Sequence, residues 1–288
     1  MELELDLPKN ASQWFKLRKN PRLFFWWVFH RLTTPFRVLP DFLVIGTMKG
    51  GTTSFFNYLA EHPQVCPPFR KEIKFFDIHY VQGPGWYRAH FPMAYKMKTG
   101  TVTGEATPYY IFHPAAPQRI AQTLPQVRLI TLLRNPVDRA YSHYNHMLRV
   151  GRDPLSFEEA IEREPERLAG EAEKIIADPR YSTFKHLHYS YLARGRYIEQ
   201  LRQWFKFFPR EQMLILSSEE LYSAPASVYG KAVAFLRIPA WEPDNFSVFK
   251  QGGYERMPAP LRKRLLDYFK PYNEELFALL DTTFKWDK

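Results

Sequence analysis

The stretch Phe42–Pro63, FLVIGTMKGGTTSFFNYLAEHP, runs from an apolar segment through a glycine-rich loop into a helical pattern. A strand, a glycine loop and a helix in this order make a cradle for an anion, because the curled backbone and the helix N-terminus aim N–H groups at it. Gly46 and Gly51 have the spacing of the nucleotide-binding P-loop, but Thr52 stands in place of its lysine, and Lys49 lies inside the loop. The sequence predicts a P-loop-like phosphate-binding loop of altered chemistry.

The residues of this loop supply several groups that can bind an anion. Lys49 carries a full charge, and the hydroxyl groups that follow it can donate hydrogen bonds. The glycines let successive backbone N–H groups turn inward. The alternative interpretation is a tight strand-to-helix turn in which Lys49 binds nothing.

The end of the next buried strand argues against a nucleoside triphosphate as the ligand. A triphosphate is held with Mg²⁺, which a loop hydroxyl and an aspartate ending a neighbouring strand coordinate. Here the neighbouring strand, Leu129–Leu133, is followed by Arg134. We therefore predict a site that neutralises its ligand with side chains and holds no metal. A metal-dependent nucleotide kinase with an aberrant P-loop remains the alternative.

Strand and helix patterns alternate along the chain, which predicts an α/β three-layer sandwich with a central parallel sheet. Ligands of such sheets bind at the carboxyl ends of the strands. We predict one domain over 41–288 and an N-terminal extension over 1–40 with an aromatic helix. The predicted strands lie within 41–45, 102–112, 127–136 and 213–221, and the predicted helices within 52–60, 117–124, 137–150, 153–180, 190–208, 226–236 and 261–280.

The net charge of +10 implies an anionic partner, although no nucleic-acid-binding module is recognisable. A non-catalytic protein that binds anionic polymers is therefore a further hypothesis. Cys66 is the one cysteine, so no internal disulfide can form. The first residues show no secretory signal pattern, and we expect a cytoplasmic protein. The sequence is silent on oligomeric state.

The extension contains the apolar segment Leu23–Phe29, LFFWWVF, whose seven residues are too few for the about 20 that a membrane span needs. It can be a helix packed on the domain surface or a helix that binds a partner. It can also lie in a membrane interface, with peripheral contact through residues 18–37, because cations surround it. Those cations are Arg18, Lys19, Arg22, Arg31 and Arg37.

Two motifs, IGTMKGGTTSFFNYLAEHP and LLRNPVDRAYSHYNH, resemble those of the sulfotransferases that use 3′-phosphoadenosine 5′-phosphosulfate (PAPS). The likeness is greatest to the heparan sulfate N- and 3-O-sulfotransferase branch and its bacterial relatives. It runs from about Asp41 to the C-terminus and includes KEIKFFD, GWYRAHFP, GEATPYY, RYIEQLRQWFKFFP and YFKPYNEELFALL. The resemblance implies a bacterial carbohydrate sulfotransferase.

The resemblance also implies which residues bind PAPS and release its product, 3′,5′-adenosine diphosphate. The loop would bind the 5′-phosphosulfate, Arg134 and Ser142 the 3′-phosphate, and a segment after residue 249 would close over the cofactor. In that segment two glycines replace basic residues of the family. The matching positions are Lys49, Gly50, Gly51, Thr52, Thr53, Ser54, Arg134, Ser142, Lys250, Gly252, Gly253 and Tyr254.

For catalysis, the resemblance implies that Glu72 is the general base and that Lys49 stabilises the leaving group. The residues alone would favour a solvated ion pair of Glu72 with Lys71 and Lys74, and the resemblance reverses that interpretation. Asp77, Trp86 and Glu105 are implied on the side of the acceptor, although Trp86 could also belong to an aromatic core. The rival bases are His62, His79, His113, His143 and Glu105.

The acceptor is expected to be a hydroxyl or amine of a saccharide or glycoconjugate, to which the sulfuryl group is transferred in line. One departure from the family argues against an acceptor that resembles heparan sulfate. The glycosaminoglycan members have a lysine directly after the glutamate of GEATP, and this chain has Ala106.

Overall fold

A computed structural model describes residues 28–29, 32–247, 253 and 255–286 of the chain. Within these ranges four parallel strands form one sheet in the order β2-β1-β3-β4. Leu43 of β1 is in register with Glu105 on one side and with Leu129 on the other. The strands are β1 (Phe42–Gly46), β2 (Gly104–Ala106), β3 (Arg128–Leu133) and β4 (Met213–Ser217).

Helices connect the strands and cover both faces of the sheet. In chain order they are α1 (Thr52–Glu61), α2 (Gly83–Arg88), α3 (Ala116–Thr123), α4 (Pro136–Arg149), α5 (Phe157–Glu162), α6 (Glu164–Leu168), α7 (Glu171–Ala177), α8 (Phe184–His188), α9 (Tyr197–Trp204), α10 (Ser218–Ser223), α11 (Pro225–Leu236) and α12 (Ala259–Leu280). None of the helices in the described ranges combines the length and apolarity needed to cross a membrane.

The core lies on both sides of the sheet because successive strand residues point to opposite faces. Leu43 and Ile45 face a layer built by α3, α9 and α12. Val44 and Ile130 face the opposite layer, which contains α1 and α11. The strands are buried on both faces, as expected for a parallel sheet. The predicted α/β sandwich with three layers is confirmed.

The predicted strands and most of the predicted helices occur in the structure, but the long helix over 190–208 is wrong. The chain there forms a short 3₁₀ turn, Ala193–Gly195, before α9 begins. The cause is the buried carboxylate of Glu164, which accepts hydrogen bonds from the backbone N–H groups of Leu192 (2.6 Å) and Ala193 (2.8 Å). These donors are therefore not available for a continuous helix.

The charged segment 153–180 forms α5, α6 and α7, and Ser156 begins α5 with a capping box to Glu159. The predicted extension over 1–40 lies largely outside the described residues, which include only 28–29 and 32–40 of it. Its last part joins the domain, because Arg37 pairs with Met93 in a β-bridge. The division into an extension and a domain remains a prediction.

Candidate active site

The glycine loop follows β1 and is fixed to the neighbouring strand. The backbone N–H and the hydroxyl of Thr47 both donate to the carbonyl of Leu132, at 3.0 and 2.8 Å. The Gly50 N–H donates to the carbonyl of Thr47 at 2.9 Å, and the Ser218 hydroxyl donates to the carbonyl of Gly50 at 2.7 Å. The loop is thus held from β3 and from the start of α10.

Two glycines are required by this geometry. A Cβ atom on Gly50 would lie 2.6 Å from the Thr47 hydroxyl oxygen and 2.8 Å from the Leu132 carbonyl oxygen. Gly51 has φ = +86°, a left-handed conformation that glycine adopts without strain, and begins α1 as its N-cap residue. Since Gly51 has no side chain to cap the helix, the first turn of α1 is suited to an external anion.

The predicted loop ligands lie together at the start of α1. Lys49 also has a left-handed backbone, with φ = 71°. Thr52 and Ser54 are buried, while Thr53 is half-buried and accepts a 2.7 Å hydrogen bond from the Lys71 ammonium. This bond joins the loop to the segment that contains Glu72.

Arg134 follows β3, the strand beside β1, and lies against the loop. Its guanidinium donates from Nη1 to the Lys49 carbonyl oxygen at 3.0 Å, and its own carbonyl accepts from the Tyr197 hydroxyl at 2.8 Å. Asn135 then begins α4, with its side-chain oxygen accepting from the N–H of Val137. The structure therefore brings the predicted cation next to the predicted loop.

Ser142 lies on α4 and lines a cavity of about 210 Å³, here called the Lys49 cavity. Lys49 and Gly253 line the same cavity, so residues from three distant segments meet here. Besides Leu148, three polar residues of α4 also line it: Asn145, His146 and Arg149. Sequence reasoning missed these three. Their spacing of three, four and seven residues from Ser142 places them on one helix face, and that spacing was the signal.

The lining of the Lys49 cavity fits an anionic ligand. Lys49 and Arg149 contribute positive charge and Ser142 a hydroxyl, and the described part of the lining contains no carboxylate. Of the predicted closing segment, Gly253 is exposed at this cavity. Lys250, Gly252 and Tyr254 lie outside the described residues, and their roles stay predictions.

Glu72 lies close to the loop on an irregular segment. The Lys71 carbonyl accepts a 3.2 Å hydrogen bond from the N–H of Ala106, at the end of β2. The Glu72 carboxylate is 3.8 Å from the ammonium of Lys74, and its side chain is 42% exposed. It is therefore accessible to a bound acceptor, although its ion pair with Lys74 also fits the alternative interpretation. Its role as base stays a prediction.

Glu105 is completely buried in β2, which does not fit direct contact with an acceptor. Its carboxylate accepts hydrogen bonds from the hydroxyls of Thr107 (2.6 Å), Tyr110 (2.8 Å) and Tyr87 (3.2 Å) and from the Ile73 N–H (3.4 Å). Burial raises the pKa of Glu105 to about 7, against the opposing effect of these donors. Through its contact with the Ile73 N–H it holds this segment on the sheet, and its contact with the acceptor stays a prediction.

Asp77 lines a second cavity, of about 300 Å³, here called the Asp77 cavity. It is 3% exposed, and its Oδ1 accepts from the N–H of Ile78 at 2.7 Å. Its Oδ2 has no hydrogen-bond partner among the described residues. Burial raises the pKa of this carboxyl to about 7. The predicted acceptor residue therefore lies in the wall of a cavity and carries a buried oxygen that is unsatisfied within the described residues.

Trp86 does not line either cavity among the described residues. It is half-buried and packs against Phe75 and the ring of His90, with centroid distances of 6.2 and 4.3 Å. This arrangement fits the aromatic-core alternative as well. Its contact with the acceptor stays a prediction.

The histidines considered as rival bases have different surroundings. His143 is fully buried, and burial holds its pKa well below the usual range. His62 contacts the Pro239 carbonyl through Nε2 at 3.0 Å, and His79 is buried beside Trp86. His113 lines the Asp77 cavity. Of the rivals, only this one borders a described cavity.

No cluster of three or more His, Cys, Asp or Glu side chains arranged for a metal ion occurs within the described ranges. The carboxylate nearest in sequence to the end of β4 is Glu219. It accepts from the N–H of Asn135 (2.8 Å), the Ser217 hydroxyl (2.9 Å) and the indole of Trp286 (3.1 Å). Its hydrogen bonds are those of a structural residue.

Comparison with known proteins assigns this geometry to a family. The family model of the sulfotransferase domain matches residues 39–252. The membrane-associated sulfotransferase kil1 of Dictyostelium discoideum is 31% identical over 86% of this chain, and the chain spans 66% of its length. The human heparan sulfate glucosamine 3-O-sulfotransferase 6 is 29% identical over 87% of this chain and 74% of its own.

A solved structure agrees with these sequence relationships. The crystal structure of a sulfotransferase from Alicyclobacillus acidocaldarius superimposes with a TM-score of 0.70 at 29% identity. The superposition covers 87% of this chain and 100% of the other.

Proposed function

Because the chain belongs to the sulfotransferase family, we propose that it transfers a sulfuryl group from PAPS to a hydroxyl or amine of a saccharide. The observation that carries the proposal is the Lys49 cavity. It joins the glycine loop, the Ser142 face of α4 and Gly253, and its described lining is cationic. The resemblance implies these same three segments for the donor.

The residues present fit a donor with two anionic groups. The loop from Lys49 to Ser54 would hold the 5′-phosphosulfate through its N–H groups, hydroxyls and the Lys49 ammonium. Arg134 and Ser142 would hold the 3′-phosphate. Arg149, about two turns further along the same face of α4 as Ser142, adds a charge that the sequence did not assign.

Bound PAPS would supply the sulfuryl group and, with its 5′-phosphate, the leaving group. We propose that Glu72 accepts the proton of the attacking hydroxyl or amine as the new bond to sulfur forms. The bond from sulfur to the 5′-phosphate oxygen breaks, and its electron pair stays on that oxygen. The Lys49 ammonium would stabilise the charge that develops there, which leaves 3′,5′-adenosine diphosphate as product.

A saccharide acceptor is supported by a relative named for heparan sulfate glucosamine. The proposal also includes the location of the protein. We propose that it acts in a bacterial cytoplasm and that the extension makes peripheral contact with a membrane. A relative named as membrane-associated supports such contact.

Exposed apolar side chains on the described part of the extension support it further. Leu32 is 71% exposed, Phe36 67% exposed and the neighbouring Phe69 59% exposed, whereas Arg37 beside them is buried. Exposed apolar side chains of this kind suit contact with a lipid surface. Flotation with anionic and neutral vesicles tests this. Phe36→Ser should reduce flotation with anionic vesicles. The control is Phe207→Ser, at an exposed position that follows α9, and it should not reduce flotation. Equal flotation of the two variants would contradict the membrane contact.

The nucleotide-binding proposal is tested with Arg134→Ala. Calorimetry with a chelator present would compare 3′,5′-adenosine diphosphate with 5′-adenosine monophosphate, which lacks the 3′-phosphate. Losing a charge-assisted contact costs about 1.5–3 kcal/mol, or roughly 10- to 150-fold in affinity. Only the diphosphate should lose this much. The ratio is the readout, because Arg134 also supports the loop and its removal can weaken both ligands.

Arg202→Ala is the matched control, since this arginine pairs with Glu275 on the exposed side of α9. It should leave both affinities unchanged. Equal losses for the two nucleotides in Arg134→Ala would contradict a contact with the 3′-phosphate. Much tighter binding of ATP with Mg²⁺ than of the diphosphate would favour the kinase alternative.

A further inference from the structure

We propose that the Asp77 cavity binds the acceptor as a single hydroxyl-bearing ring that is neutral or carries an amino group, and that it excludes anionic rings. The proposal rests on the proposed function and names the acceptor class of that site. It differs from an acceptor such as heparan sulfate, which already carries sulfate groups.

The walls of the Asp77 cavity are mainly apolar and aromatic. Phe184, Leu187 and Tyr109 contribute rings and aliphatic surface, and the volume of about 300 Å³ is at the lower end of small-molecule sites. A space of this size takes one ring rather than a stretch of polymer. The apolar faces of a sugar or similar ring can pack on such walls.

Two residues of this lining carry a buried polar atom without a partner in the described ranges: Asp77 at Oδ2 and His113 at Nδ1. The Oδ2 atom of Asp77 is buried and has no partner in the described ranges. A buried polar atom without a partner is costly, and a ligand that donates a hydroxyl or ammonium hydrogen removes that cost. An anionic ligand would instead meet a like charge whenever the Asp77 carboxyl is ionised.

No lysine or arginine belongs to the described lining of the Asp77 cavity. Its histidines supply no charge at neutral pH, because burial lowers the pKa of His188 to about 4 and holds that of His113 well below the usual range. A sulfate or carboxylate group on the ring would therefore find no cation in this lining.

Two arginines around the cavity, Arg194 and Arg119, are engaged with protein groups, and a third, Arg152, lies at its rim. Arg194 lies 4.8 Å from the ring of Tyr109 and donates to the Leu187 carbonyl and the Ser190 hydroxyl, each at 2.7 Å. Arg119 donates to the backbone carbonyls of Phe76 and of Asp77 itself. Arg152 is exposed and contacts His188 at 3.2 Å, so its charge faces the rim.

A tight turn connects this cavity to the proposed base. The N–H groups of Ile78 and His79 both donate to the Lys74 carbonyl, at 3.1 and 3.0 Å, and Lys74 pairs with Glu72. Asp77 and Glu72 thus belong to one compact segment, which Lys71 joins to the loop. A ring held by Asp77 is therefore held by the segment that carries the base.

The two cavities have opposite chemistry. The Lys49 cavity has cations and no carboxylate in its described lining, whereas the Asp77 cavity has a carboxylate and no cation. This contrast assigns the anionic donor to one and an acceptor without negative charge to the other. An acceptor with many sulfate groups would compete for the first and be rejected by the second.

The test uses three rings of the same size: methyl glucoside, methyl glucosaminide and methyl glucuronide. Binding is measured by saturation-transfer NMR, and turnover by the release of 3′,5′-adenosine diphosphate with PAPS. The neutral and aminated rings should bind and react at least about tenfold better than the glucuronide. Asp77→Asn should reduce binding of the glucosaminide most, by roughly tenfold, and narrow its advantage over the glucuronide. Asp267→Asn, an exposed control on α12, should change neither.

The outcomes separate this inference from the proposed function. If 3′,5′-adenosine diphosphate binds and the glucuronide is preferred, the sulfotransferase proposal stands and the inference is overturned. The inference is also overturned if neither the neutral nor the aminated ring binds. Binding of those rings that depends on Asp77, together with no nucleotide binding, would support the inference while the proposed function fails.

Discussion

The buried carboxyl of Glu105 should make the stability of the fold depend on pH. Burial raises its pKa to about 7 from a reference value of 4.5, so between these values the folded state holds a proton that the unfolded state has released. Its contribution to stability is therefore complete below about pH 4.5 and is lost as the pH rises through about 7. The gap corresponds to roughly 3 kcal/mol.

Glu105→Gln removes this ionisation while keeping the shape of the side chain. The amide can still accept from the hydroxyls of Tyr87 and Tyr110, but its NH₂ group cannot accept from the N–H of Ile73, as the carboxylate does. That loss lowers stability equally at every pH. The pH-dependent part should disappear, so wild type should lose roughly 2.5 kcal/mol more than the variant between pH 5 and pH 8.

Urea unfolding followed by tryptophan fluorescence at both pH values measures this difference. Asp77 and Glu164 are also buried, and burial raises the pKa of each to about 7, so they contribute in the same direction in both proteins. Subtracting the pH-dependent change in unfolding free energy of the variant from that of wild type isolates the contribution of Glu105. Glu166→Gln, an exposed carboxyl on α6, is the control and should retain the wild-type dependence. Equal losses for wild type and Glu105→Gln would mean that the four donors keep this carboxyl ionised, which would refute the reasoning.

Three further outcomes are expected. Glu72→Gln should lower turnover by about 10²–10⁴ and leave nucleotide affinity unchanged by calorimetry, because the amide cannot act as a base; near-full turnover would place the base elsewhere. Lys49→Ala should lower both turnover and affinity for 3′,5′-adenosine diphosphate, and unchanged affinity would place its ammonium away from the donor. Gly50→Ala should destabilise the fold by about 1–3 kcal/mol in urea, because its Cβ would lie 2.8 Å from the Leu132 carbonyl oxygen. Unchanged stability would mean that the loop can move away from β3.

Local signals made the sheet and the loop predictable. Apolar runs ended by glycine, arginine or proline define β1 and β3, and a loop between a parallel strand and its helix must lie at the carboxyl edge of the sheet. Arg134 follows the neighbouring strand, so its contact with the Lys49 carbonyl follows from topology. Helical spacing from Ser142 would also have predicted Arg149 in the same cavity.

Other features depended on contacts between distant parts of the chain. The burial of Glu105 follows from tyrosines 18 residues before and five residues after it, which no periodicity indicates. The break before α9 follows from Glu164, which lies 28 residues before Leu192. The walls of the Asp77 cavity come from α7 and α8 as well as from Tyr109. Such sites form only when the helices pack.

The same dependence on packing limits what the net charge of +10 can say about the acceptor. The net charge implies an anionic partner. The proposed anionic donor, bound by Lys49 and Arg149 in one cavity, is sufficient to be that partner. The cavity beside Asp77 has the opposite sign within the described lining. A basic protein can therefore bind an anionic donor and still select an acceptor without negative charge, because local charge within a desolvated cavity outweighs the screened charge of the whole surface.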